Sequence, residues 1–255
     1  MGSISWPSRV LLGMIGRRIL LAAGVLFGAA AFAQAQIDNG LPGPQPLDAG
    51  SMILNRTLFE GIMDRNSKVR SASAKPMPAG GYLSYRASSK VRQKVTREYL
   101  ARAEKAYGKP IAEGLRKTLG AIDFVATWRR LATRDGLRTG DLGDSVTAYW
   151  AVNWLVANGK ENSAPGQMQA LRRQLGPLMA SNPGVRRMSE AARQEVAESL
   201  MLDTVVLAIG ADTAVQKNDP AVLAKLRTTT NDRFKQAFGI DLTTVTLTNR
   251  GLAKR

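Results

Sequence analysis

Glu195, Glu198 and Asp203 are the acidic side chains in this sequence whose spacing invites a catalytic or cation-binding reading. A chain without histidine or cysteine has lost its commonest general base, its thiolate nucleophile and most zinc ligands. Carboxylates, lysines and tyrosines remain. A glycosidase pair needs one carboxyl of raised pKa facing another across about 5–9.5 Å, usually from separate elements. Glu195 and Glu198 instead stand three apart on one helix surface, and Arg193 lies beside them. The spacing predicts a solvated, salt-bridged face. Asp141 and Asp144 fit helix capping better than catalysis.

Two other sets of residues could recognise a ligand. Tyr149, Trp150, Asn153 and Trp154 present flat rings with polar tips, the chemistry of a sugar-stacking groove. The same residues recur at three- and four-residue steps with Val146 and Ala157, which predicts one face of a helix packed into a core. Consecutive Tyr149 and Trp150 are not expected to point inward together, so one of them belongs at the border. Arg86, Lys90, Lys94 and Arg97 belong to a basic helix face that also carries Arg92, Arg102 and Lys105. They are candidate contacts for an anionic surface. No glycine-rich phosphate loop or nucleic-acid-binding motif accompanies them, and the export signal at the start of the chain argues against nucleic acid as the partner.

The elements that must position these residues follow in order. Residues 1–35 read as an export signal: Arg9, Arg17 and Arg18, then an uncharged run over 19–33, then Ala31, Ala33 and Ala35 at a peptidase site. The surroundings of Arg17-Arg18 favour ordinary export over the twin-arginine route. Residues 36–81 form a linker rich in Pro and Gly, with at most one short helix over 51–65. Residues 82–255 form the helical domain. Gly108, Asn158-Gly159 and Gly239 end helices, and Asp135-Gly136-Leu137 reads as a glycine cap with its hydrophobic contact. Asp141, Ser189 and Asp219 begin helices, and Ser163 with Pro165 suggests another start. Gly120 is either a break or a small residue inside one element reaching Arg134. Gly176-Pro177 should bend its helix. The tail, 240–247, reads as a short extended segment. The expected fold is all-α, one bundle of about six or seven helices.

Several fragments taken together carry a resemblance: LSYR at 83–86, DGLR at 135–138, Asp141 followed by AYW at 148–150, RQEVAE at 193–198, and GIDL at 239–242 running on to the LT at 247–248. They resemble a family of uncharacterised secreted or periplasmic bacterial proteins, a domain of unknown function, over roughly residues 82–251. The resemblance implies a signal peptide and a helical domain. It implies no activity, cofactor or catalytic residue.

The chain carries 36 Lys and Arg against 20 Asp and Glu, a formal charge of +16. Such a balance attracts anionic surfaces or acidic proteins. The sequence therefore predicts a periplasmic or secreted helical protein without cofactor or catalysis. Its partner would be anionic envelope material or an acidic protein. The alternative is a histidine-independent hydrolase of envelope polysaccharide using Glu or Asp.

Overall fold

A computed structural model describes residues 83–255. The expected signal segment, linker and short helix over 51–65 lie outside the described residues. Among the described residues eight helices follow one another: α1 (Ser89–Tyr107), α2 (Lys109–Ala121), α3 (Phe124–Thr133), α4 (Leu142–Ala157), α5 (Gln167–Ser181), α6 (Pro183–Arg187), α7 (Glu190–Gln216) and α8 (Pro220–Phe238). A short 3-10 turn, Leu242–Thr244, leads into β1 (Val245–Thr248) and β2 (Gly251–Lys254), an antiparallel hairpin pairing Val245 with Lys254 and Thr248 with Gly251. Among the described residues no helix is long and apolar enough to cross a membrane.

The bundle is built around α4 and α7, its most extensively packed pair. Every residue from 141 to 151 is buried. A helix enclosed on all sides buries both of two consecutive residues, so Tyr149 and Trp150 are each 0% exposed and neither sits at a border. The predicted one-sided stripe is thus corrected to a helix buried all round. Phe234 of α8 closes over it, stacked on Tyr149 at 5.7 Å and edge-on to Trp150 at 5.6 Å. Such pairs are worth about 0.5–1.5 kcal/mol beyond the area they bury. α1 and α3 pack on α7, while α5 and α8 pack on α4.

Local chemistry explains the boundaries. The carboxylates of Asp123, Asp141 and Asp219 and the hydroxyl of Ser189 each accept a first-turn N–H three residues on, which satisfies one of the donors a helix start leaves open. Gly136, with φ of 72°, lets Leu137 turn back so that its N–H reaches the Ala132 carbonyl. One expectation is corrected, and two that were open or coarse are resolved. The helix assigned to Ser163 begins at Gln167, because Gly166 takes a left-handed conformation that a helix interior does not use. The stretch through Gly120 does not run on to Arg134: Ile122 is extended and Asp123 caps a new helix. The tail forms a hairpin, with Val245 and Leu247 buried between half-exposed threonines. Its outward-facing backbone groups are met by side chains: Trp154 and Gln167 donate to the Val245 and Leu247 carbonyls, and Gln174 both donates to and accepts from Leu252. Pro177 does not stop α5, which continues to Ser181.

Candidate functional site

The aromatic residues read as groove candidates lie in the core. Tyr149 and Trp150 are fully buried and Trp154 is 5% exposed, with its indole N–H donating to the Val245 carbonyl at 3.0 Å. Asn153, also buried, donates to the Tyr149 carbonyl at 2.7 Å and accepts from the Arg233 guanidinium. No ring face in this set is open to a ligand.

The carboxylates of α7 do not form the solvated face that their spacing predicts. Of Glu195, Glu198 and Asp203 only Glu195 is half-exposed, paired with Lys94 at 2.8 Å. Glu198 is 1% exposed: Arg92 of α1 donates to it at 2.9 Å, and Gln194, one turn earlier, at 3.0 Å. Gln194 also holds the chain entering α1, accepting from the Ser88 N–H and donating to the Ser88 carbonyl. The correction has a physical reason. α1 lies along α7, and two facing helices bury charges that helical spacing alone assigns to solvent.

Asp203, five residues further along α7, is 5% exposed and lines a small cavity with Tyr99 of α1 and Arg233 of α8. Val206, Leu207 and Leu226 form its apolar wall, and Thr229 and Thr230 complete it. The cavity measures about 10 Å³, close to what one water needs. Burial pushes the Asp203 carboxyl up to about 6, against the opposing pull of Arg233, Tyr99 and Arg102. The Tyr99 hydroxyl faces that carboxyl without closing a hydrogen bond of ordinary geometry. Burial also raises the Tyr149 phenol far above its usual range. Asp203 is the one carboxylate lining the cavity. A two-carboxylate hydrolase site is therefore not assembled here. Among the described residues no group of three or more His, Cys, Asp or Glu is placed to hold a metal.

A second buried polar centre went unread in the sequence. Asp141 and Asp144, each 3% exposed, receive Arg172 of α5, which donates to Asp144 at 2.5 Å and to Asp141 at 3.0 Å. The Arg138 N–H also donates to Asp144 at 2.9 Å. The guanidinium lies over Gly143 and Gly176, where a Cβ would come within 2.7 Å of it at Gly143. The same end of the bundle gathers the familiar fragments. The Leu142 N–H donates to the Leu83 carbonyl, the Tyr85 N–H to the Gly140 carbonyl, and Arg193 to the Ser84 carbonyl at 2.7 Å. LSYR, DGLR, the Asp141 cap and RQEVAE thus meet in one structural junction. Two acids at i and i+3 before an apolar run hinted at a cap, but nothing local pointed to Arg172.

Arg86, Lys90 and Arg97 are exposed, whereas Lys94 is tied to Glu195 and, at 3.9 Å, to Glu98. The Arg86 N–H donates to Glu190 at 3.0 Å. The basic face therefore survives in part: Lys94 is neutralised, and Arg92 turns inward to Glu198. Asp141, Asp144, Glu198, Asp203 and Asp212 are all buried. Arg233 is buried and Arg172 nearly so, and among the described residues the interior takes in more acids than bases.

Residues 61–255 match the model of a family of unknown function, DUF6683, and the chain belongs to that family. It matches no curated protein and no solved structure.

Proposed function

We propose that this member of a family of unknown function is an exported, non-catalytic binding or accessory protein whose basic surface meets the anionic envelope. The reading rests on the sorting of charge. Five acids lie inside the bundle while Arg86, Lys90 and Arg97 stand outside on or beside α1, with Lys105 and Lys117 further along the α1–α2 pair. A surface with cations in excess attracts phosphate-bearing headgroups or acidic polymers without a shaped pocket, and it does so in a salt-dependent way. The basic, uncharged and small-residue order of 1–35 supports export. The cavity at Asp203 has room for a water and not for a sugar ring, which disfavours the hydrolase alternative.

Co-sedimentation with phospholipid vesicles tests this. The protein should pellet with vesicles containing anionic phospholipid at low salt, stay in solution with neutral ones, and be released as salt rises. Equal pelleting with both compositions, or none with either, overturns the reading.

A further inference from the structure

The cavity between α1, α7 and α8 holds three buried polar atoms that find no hydrogen-bond partner among the described residues: the Tyr99 hydroxyl, Asp203 Oδ2 and Arg233 Nε. Their side chains are 0%, 5% and 7% exposed. They come from three different helices and line one space. Native interiors seldom leave such groups unmet, because each then forfeits the hydrogen bonds it made to water in the unfolded chain.

Charge and size together define what could satisfy them. A carboxylate and a guanidinium face the same space, so a bare anion would meet Asp203 and a bare cation would meet Arg233. A volume of about 10 Å³ admits a single water and excludes organic molecules. Water also matches the donor and acceptor count. It accepts from Arg233 Nε, donates to Asp203 Oδ2, and shares its remaining bond with the Tyr99 hydroxyl, which can give or take a proton.

We propose that this cavity is a binding site for one ordered water that bridges Tyr99, Asp203 and Arg233 and joins the buried carboxylate to the guanidinium. The bridge explains how Asp203 and Arg233 share a cavity without direct contact in the ion-pair range. It also gives the Asp203 carboxyl, which burial pushes up to about 6, a partner through which its proton can leave. The titratable and charged groups that act on it are Tyr99 and Arg102 from α1, Tyr149 from α4 and Arg233 from α8. No second carboxylate among the residues lining the cavity competes for that proton.

A crystal structure of the full chain at a resolution that shows ordered solvent, with a parallel bromide soak, decides the matter. One peak should lie within about 3.2 Å of the Tyr99 oxygen, an Asp203 oxygen and Arg233 Nε, without anomalous signal from bromide. It should persist in Asp203→Asn, whose amide oxygen still accepts. A Tyr99 oxygen bonded directly to Asp203 with no peak between them overturns the proposal. So does an anomalous bromide peak, which would make the site an anion site.

Discussion

Helices α4 and α1 belong to one bundle yet use charge in opposite ways. α4 buries 13 of its 16 residues, and its two acids, Asp144 and the cap Asp141, are closed over by Arg172. α1 buries five of 19 and keeps Lys90 and Arg97 in solvent. Between them α7 takes acids from both settings: Glu198 goes inward to Arg92, while Glu195 stays half-exposed on Lys94. The contrast teaches that the net positive charge is not spread evenly through the molecule. Interior acids act as structural anchors, and exterior bases are left available.

The interior side of the comparison should show the largest effects. Trp154→Ala should cost roughly 3–5 kcal/mol, the range for removing a large buried aromatic, and would also leave the Val245 carbonyl without its donor. Thermal unfolding measures it, and a melting point within a degree or two of wild type would break the account of α4 as core. Arg172→Leu should cost a comparable amount, about 3–5 kcal/mol, because it strands two buried carboxylates. Urea unfolding of that variant with and without Asp144→Asn shows how much of the loss comes from the stranded Asp144 charge, since the Asp141 cap is kept in both.

The next effect is a pH dependence. Asp203 has a folded pKa near 6, above its ordinary value of 3.8, so the native state binds the proton more tightly than the unfolded chain. The contribution of this group is therefore most favourable below about pH 4 and is lost as pH rises through about 6, then stays flat. A shift of about two units sets a scale of up to ~3 kcal/mol. Asp203→Asn should remove this slope, so its stability relative to wild type should improve between pH 4.5 and pH 7. Parallel urea titrations at those two values give the answer, and an unchanged difference would mean that Asp203 does not titrate there.

The smallest stability effect belongs to the outer face. Lys90→Gln with Arg97→Gln should leave stability within about 0.5 kcal/mol, since neither side chain is buried.

How much of this could be read in advance follows the same division. Caps were legible because their chemistry is local: Asp141, Ser189 and Asp219 each bond three residues on. The apolar run of 141–159 announced a core helix, yet helical spacing carries no information about whether one face or all faces are covered. The Arg92–Glu198 and Arg172–Asp144 pairs join residues 106 and 28 apart. Only the packing of whole helices creates them, and that packing turned a supposed solvated face into a buried one. The hairpin was missed for a different reason: strands of four residues are too short to display a pattern.

The central claim, that the exposed cations of α1 and not the buried ion pairs engage an anionic surface, is tested most directly by one binding measurement. Wild type and the Lys90→Gln, Arg97→Gln double variant are titrated with anionic phospholipid vesicles at low and at physiological salt. The account predicts weaker binding for the variant at low salt, convergence of the two proteins as salt rises, and matching thermal melts. Affinities that stay equal at both salt concentrations would contradict it and leave the basic face as ordinary surface.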